Sequence, residues 1–260
     1  MESKKIREMK ISILIPAYHE EGKISQTINA VQRAVQPLPH LTEIIVICDG
    51  KEDKTYEIAS AYSGHSVTIL GYSKNRGKGY ALKHGFRHST GDVIIFFDAG
   101  LEFDPDHILR IVEYYQKYQT PVIIGSKRHP ESKVIYPLQR QILSRAGQLM
   151  VKTLFQMDIK DSQVGLKLFE RKVLSKIFPK VVVKKFAFDI ELLALAHHYH
   201  YRIAEVPVDL KMDFSHSSVG FSSINNCFWD TLAVFYRLKI LKYYDQPKET
   251  RRKMLKKYEK

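Results

Sequence analysis

After a charged start, short apolar runs alternate with amphipathic stretches, a rhythm that predicts alternating strands and helices. "ISILI" (Ile11 to Ile15), "EIIVIC" (Glu43 to Cys48), "VTIL", "VIIFF" and "PVIIG" (Pro121 to Gly125) are rich in β-branched residues on consecutive positions. Strands of this kind bury both faces, which suits a mostly parallel sheet with helices packed on either side. Helical spacing fills the gaps from Lys23 to Val35, Lys54 to Tyr62, Lys78 to His88 and Asp106 to Tyr118. Pro37 and Pro39 stop the first of these.

The second half reads as more helical. "LQRQILSRAGQLMVKTLF" (Leu138 to Phe155) and "DIELLALAHHYHY" are helix candidates, and "RIAEVPVDL" is a strand candidate. An aromatic-rich helix from Asn225 onward runs into the basic tail "RRKMLKKYEK". No repeat or low-complexity linker interrupts the pattern. The expected organisation is one α/β unit over residues 1–223 and a C-terminal helical extension, amphipathic and basic, over 224–260.

Three strand ends carry polar chemistry: "PAYHEE" after the first, "DGKED" closing the second and "DAGLEFDP" closing the fourth. In a parallel sheet all three emerge on one edge, where open α/β sheets bind their ligands. The first strand does not lead into G-x-G-x-x-G, which excludes a dinucleotide oxidoreductase of the usual kind. "NRGKGYALKHG" lacks the P-loop order, and no G-x-S-x-G elbow is present. His197, His198 and His200 stand on a polar helix end without cysteines, which reads as a solvated face rather than a metal site.

Composition adds a partner class. With 260 residues, 44% hydrophobic and 27% charged, the chain is globular rather than disordered. Two cysteines, Cys48 and Cys227, form neither a disulfide framework nor a paired-cysteine metal site, which fits a reducing cytoplasmic setting. A net charge of +13 favours a polyanionic partner. No nucleic-acid-binding motif accompanies it, leaving phosphate-bearing substrates and anionic lipid headgroups. "MESKKIREMK" leads into no secretory h-region, and no apolar run approaches the roughly 18–20 residues that span a bilayer. The expectation is a protein not integral to a membrane.

Taken in order, "ISILIPAYHEE", "VICDGKEDKT", "NRGKGYALKHGF", "TGDVIIFFDAG" and "DSQVGLKLF" resemble the family 2 glycosyltransferases with the GT-A fold. The resemblance runs from about Ile11 to Tyr244. "GSKRHPESKVIYPLQRQILSRAGQLM" and "FAFDIELLALAHHYHYRIAEVPV" narrow it to the polyprenyl-phosphate hexosyltransferases, such as the dolichyl-phosphate mannosyl- and glucosyltransferases.

That resemblance implies an inverting transfer of mannose or glucose from GDP-mannose or UDP-glucose to a polyprenyl phosphate, at the cytoplasmic face of a membrane. It puts Pro16, Ala17, Tyr18, Glu20 and Asp49 against the donor nucleoside, with His19 in place of the family's usual Asn. It makes Asp98 the first acid of a D-x-D that holds Mg²⁺ or Mn²⁺ against the donor diphosphate. The second acid is Gly100 here, so Glu102, two residues on, is the expected second metal ligand; Asp104 before Pro105 reads as a helix start. Arg140, Ser144 and Arg128 are the expected contacts of the acceptor phosphate. A phosphate acceptor is already largely anionic near neutral pH, so no general base is required. Two alternatives remain: transfer to a glycan hydroxyl, with Asp161 or Asp189 as base, or a donor-binding protein that Gly100 has left without turnover. A lipid-linked acceptor also implies docking on a membrane surface, or beside a membrane-protein partner. The stretch Phe228 to Tyr244, with Trp229, Phe235, Tyr236, Tyr243, Tyr244, Arg237, Lys239 and Lys242, suits an interfacial helix.

Overall fold

The computed structural model describes residues 9–132, 138–185, 187–210 and 221–258. Seven strands form one sheet: β1 (Lys10–Ala17), β2 (Leu41–Asp49), β3 (Val67–Tyr72), β4 (Val93–Phe96), β5 (Val122–Ser126), β6 (Lys167–Glu170) and β7 (Ile203–Pro207). Their order is β3-β2-β1-β4-β6-β5-β7, and only β6 runs against its neighbours. The expected parallel runs of the first half are therefore all present. The antiparallel β6 carries no strand signal in the sequence, because four residues that include a lysine give no period to recognise.

Helices α1 (Ile24–Val35), α2 (Thr55–Ser60), α3 (Lys78–His88) and α4 (His107–Tyr118) fill the gaps where periodicity predicts them. In α1, Ile24, Ile28, Val31 and Val35 recur at helical spacing and are all buried. Each such side chain contributes about 1.5–3 kcal/mol on burial. The second half adds α5 (Leu138–Phe155), α6 (Arg171–Ile177), α7 (Phe188–His198) and α8 (Phe221–Phe235). A π turn over Tyr236–Ile240 extends α8, a 3₁₀ turn follows at Tyr243–Asp245, and α9 spans Lys248–Tyr258.

The C-terminal aromatic stretch is split by this arrangement. Val234, Leu238, Tyr243 and Tyr244 belong to the same continuous core as the sheet, while Phe228, Trp229, Tyr236 and Ile240 are exposed. Tyr244 is fully buried; its hydroxyl donates to Glu191 Oε1 and accepts from Arg237 Nε at 3.0 Å. The other oxygen of Glu191 accepts the backbone N–H groups of Val182 (2.9 Å) and Val183 (2.7 Å). Tyr199 and Lys180 both bond the Tyr244 carbonyl, and His198 pairs with Asp245 at 2.8 Å. Among the described residues no helix is long and apolar enough to cross a membrane.

Candidate active site

The C-terminal ends of β2, β1 and β4, adjacent in the sheet, open into a cleft of about 650 Å³. Pro16, Ala17, Tyr18 and Glu20 line it from β1 and the following turn, Asp49 from β2, and Asp98, Gly100 and Glu102 from the loop after β4. Asn75, Gly77 and Lys78 join them from the start of α3, Gln163 from the loop before β6, and Lys185 and Asp189 from the start of α7. The convergence expected of three parallel strand ends is what the fold delivers.

Each acid has a distinct environment. Asp49 is buried and accepts from the Tyr72 hydroxyl (2.8 Å), the Arg76 backbone N–H (2.7 Å) and the Asn75 amide (3.2 Å). It thereby holds the loop that enters α3. Tyr18 is half exposed, with its hydroxyl donating to Glu52 at 2.9 Å, and the Glu20 N–H donates to the Thr55 hydroxyl at 2.8 Å. Glu20 has its carboxyl pushed up, chiefly by burial; Lys23 opposes this, and the neighbouring charges of Asp98 and Glu102 add to it.

Asp98 is gripped from two sides. Lys78 Nζ stands 2.8 Å from its Oδ1 and 3.1 Å from its Oδ2. Gly165 lies directly against the carboxylate: a Cβ there would come within 2.6 Å of Asp98 Cγ. Lys78 also reaches Asp189 Oδ2 at 3.4 Å, and the buried Lys167 meets Asp189 Oδ1 at 2.8 Å. Burial alone would raise the Asp189 carboxyl, but the two ammonium groups outweigh it and hold it below the usual range. Burial likewise works against the Lys78 ammonium, and the charges of Asp189 and Asp98 reverse the sign and push it up. The start of α3 can approach this closely because Gly77 adopts φ +90°, where a Cβ would sit 3.0 Å from the Lys184 carbonyl carbon. The Gly79 N–H then donates to the Lys184 carbonyl at 2.9 Å.

The oxygen donors suit a hard divalent cation. Asp98 and Glu102 line the cleft beside Glu20, and the repulsion by which they add to the effect of burial on Glu20 is what a bound cation relieves. Among the described residues no group of three or more His, Cys, Asp or Glu side chains is arranged to hold a metal by itself. A Mg²⁺- or Mn²⁺-type site completed by substrate phosphates needs only one or two carboxylates. Gly100 is not demanded by the backbone: a Cβ there meets only Glu20 Oε1 at 3.6 Å and Glu102 Cγ at 4.0 Å.

Two of the residues expected at the acceptor phosphate, Arg128 and Ser144, meet beside the loop that brings Gln163 to the cleft. Arg128 Nη2 donates to Ser144 Oγ at 2.7 Å, and its Nη1 donates to the Lys160 carbonyl at 2.9 Å. Neither Arg128 nor Ser144 lines the cleft itself. Arg140 falls in α5, and its side chain lies outside the described residues. Asp161 accepts from the Lys127 N–H at 3.2 Å and pairs with Lys127 Nζ at 3.5 Å. Sequence reasoning missed Lys78, Lys185, Asn75, Gln163 and Gly165. A signal existed in "GLKLF", since a lysine inside an apolar strand is buried only when paired; Lys167 pairs with Asp189 and so points at the site.

A mostly parallel sheet flanked by helices, with acids gathered at the ends of its central strands, defines a GT-A-type transferase. The fold is shared with glucosyl-3-phosphoglycerate synthase from Mycobacterium tuberculosis, solved with Mn²⁺, UDP and glucosyl-3-phosphoglycerate. That likeness has a TM-score of 0.68 at 17% identity, over 88% of this chain and 79% of that one. Residues 12–178 match Glycosyl transferase family 2, and the chain belongs to that family. It is similar to the dolichyl-phosphate beta-glucosyltransferase of Dictyostelium discoideum, with 31% identity over 78% of this chain and 67% of that protein. The Drosophila melanogaster protein of the same name is 32% identical over 77% of this chain and 66% of its own length. The chain thus spans about two thirds of the length of these curated relatives.

Proposed function

We propose that this protein transfers glucose, with inversion, from UDP-glucose to a polyprenyl (dolichyl-type) phosphate at the cytoplasmic face of a membrane. The observation that carries this reading is the cleft itself, where Asp98 and Glu102 stand with Glu20 at the strand ends and Lys78 and Lys185 line the same space. The names of the relatives favour dolichyl phosphate as acceptor and glucose over mannose. Solved neighbours with Mn²⁺ and UDP-glucose favour a uridine donor and a divalent cation.

In this reading an acceptor phosphate oxygen attacks the anomeric carbon from the face opposite the diphosphate. A new C–O bond forms, the bond from that carbon to the β-phosphate oxygen breaks, and UDP leaves with the electron pair. Asp98 and Glu102 would hold Mg²⁺ or Mn²⁺, which when bound would supply positive charge beside the diphosphate. Lys78 keeps Asp98 oriented through its two short contacts. Pro16, Ala17, Tyr18 and Glu20 receive the nucleoside, and Asp49 shapes that wall through the Asn75–Arg76 loop. Arg128, Arg140 and Ser144 receive the acceptor phosphate, for which a guanidinium fork is well shaped. Asp189, held anionic by two lysines, is a poor proton acceptor, which counts against it as the base for a sugar-hydroxyl acceptor. Residues 1–223 then carry the chemistry and 224–260 the attachment to the membrane or to a membrane-protein partner.

The test is label transfer by the purified protein to a short polyprenyl phosphate, from UDP-glucose and GDP-mannose separately, with Mg²⁺, Mn²⁺ or EDTA. Metal-dependent labelling from UDP-glucose is expected. Transfer to a glycan independent of lipid phosphate, or donor binding with no turnover, would overturn the reading.

A further inference from the structure

Lys167 is a buried charged group that the reaction above leaves without a task. It stands in mid-strand on β6, paired with Phe96 of β4 on one side and Ile124 of β5 on the other, and it is 1% exposed. Its ammonium donates to the Val164 carbonyl and lies 2.8 Å from Asp189 Oδ1. Burial pushes that ammonium down, and the attraction of Asp189 and, more weakly, of Asp98 does not fully offset it. A buried ion pair of this kind is weak support for a fold, since apolar groups of similar size commonly do as well or better. Its value lies instead in what the pair does to its neighbours.

Those neighbours form a line of alternating charge that ends in the cleft. Lys167 meets Asp189 Oδ1 at 2.8 Å, and Asp189 Oδ2 stands 3.4 Å from Lys78. Lys78 in turn lies 2.8 and 3.1 Å from the two oxygens of Asp98. Among the described residues no other charged side chain pairs with Lys167, Asp189 or Lys78. The line is uneven in the middle: Lys78 is close to Asp98 and stands off from Asp189, whose other oxygen Lys167 already serves. Without Lys167, the buried Asp189 would have Lys78 as its only cation and would draw it away from Asp98. Without Asp189, Lys78 would be left to Asp98 alone.

This balance bears on the cation. Where it stands, Lys78 covers both oxygens of Asp98, so a divalent ion has to displace it. The 3.4 Å separation from Asp189 is the gap that Lys78 closes on leaving.

We infer that Lys167 is a positioning residue for Asp98: acting through Asp189, it sets how firmly Lys78 holds the Asp98 carboxylate, and so how readily a divalent cation takes the place of Lys78. Lys167 itself does not line the cleft. The inference rests on the cation role given to Asp98 and Glu102 above.

The experiment is a Mn²⁺ titration of the full chain without nucleotide, with the free ion followed by electron paramagnetic resonance. Lys167→Met should bind Mn²⁺ about fivefold or more tighter than wild type, because Asp189 draws Lys78 off Asp98. The paired exchange Lys167→Met/Asp189→Asn removes one charge of each sign. It should bind Mn²⁺ about fivefold or more weaker, because Lys78 is left to Asp98. In a Lys78→Met chain the same exchange should alter the affinity by less than about twofold, since the intermediary is gone. The paired exchange leaves no buried charge unpartnered and should keep the wild-type m-value in urea, so it decides the matter even where Lys167→Met unfolds. Wild-type affinity in the paired exchange overturns the role of Lys167. So does an equal shift with and without Lys78, which would mean a field acting through space. A wild type that binds no Mn²⁺ overturns the cation site instead, and the role of Lys167 is then read in EDTA. There the Lys78–Asp98 coupling, from a urea cycle of Lys78→Met and Asp98→Asn, should be larger in the paired-exchange chain than in wild type. Equal coupling in the two chains overturns it.

Discussion

Gly165→Ala is a one-carbon change aimed at the centre of the site. The new Cβ would stand 2.6 Å from Asp98 Cγ and 3.0 Å from Asp98 Cβ, where ordinary contact begins near 3.4 Å. Neither backbone can retreat freely, because β4 and β6 are paired in register just before and after these residues, Phe96 opposite Lys167. The carboxylate must therefore swing by the better part of an ångström, out of its 2.8 Å contact with Lys78. Overpacking of this kind costs about 1–3 kcal/mol. For a chain of this size that corresponds to a fall in Tm of roughly 3–10 °C. A catalytic group displaced by about 1 Å costs on the order of 10²-fold in rate. Transfer should therefore fall far more than the folded fraction does at the assay temperature. The assay is kcat/KM for lipid-phosphate glucosylation beside differential scanning calorimetry, with Gly64→Ala as the control, since nothing lies within 4 Å of a Cβ there. A Gly165→Ala protein with unchanged kcat/KM would refute the claim that this glycine sets the position of Asp98.

Gly100→Asp should fold, because the site offers a Cβ only ordinary contacts; it should bind Mn²⁺ about tenfold or more tighter in a metal titration, and unfold at a lower temperature than wild type in EDTA. Lys83, pushed down to about 8 mainly by burial, supplies a pH test. Between about pH 8 and its unfolded value near 10.4 the unfolded state binds the extra proton, so stability rises with pH by up to about 3 kcal/mol and is flat below. Lys83→Met should remove that rise from a series of urea titrations, and an unaltered slope would count against it. Tyr244→Phe deletes the hydroxyl between Glu191 and Arg237 and should cost about 1.5–3 kcal/mol in the same urea assay, with little effect on m.

The strand ends were legible because β1, β2 and β4 are apolar on both faces and each stops at polar residues, so the sheet and its chemical edge come from one pattern. The stretches that hold Glu20, Asp49, Asp98 and Glu102 could be picked out for that reason, the family resemblance singled out the four acids within them, and the cleft does collect them. The cationic half was not legible in the same way. Lys78 sits in a glycine-rich stretch that fails the P-loop order, and its importance depends on Gly77 and on α7 bringing Asp189 within 3.4 Å. Gly165 carries no local signal, since its role is to leave room for a residue far away in the chain. The C-terminal aromatics read as one amphipathic surface. The break after Ile240, with Lys242 at φ +46°, turns Tyr243 and Tyr244 back into the core, and helical periodicity has no means of anticipating such a reversal.

The Glu191–Tyr244–Arg237 cluster decides how far this architecture is modular. Glu191 sits in α7, two residues from Asp189 of the cleft, and its second oxygen holds the segment whose next residues are Lys184 and Lys185. Arg237 and Tyr244 come from beyond the catalytic strands, yet they complete the solvation of that one buried carboxylate. Removing its partners would leave a buried carboxyl short of hydrogen bonds, at about 1–3 kcal/mol for each bond lost. A glycosyltransferase of this kind cannot exchange its C-terminal segment for another as beads are restrung. Any replacement has to bring its own tyrosine and guanidinium, so the C-terminal helices and the strand-end cleft are bound to change together.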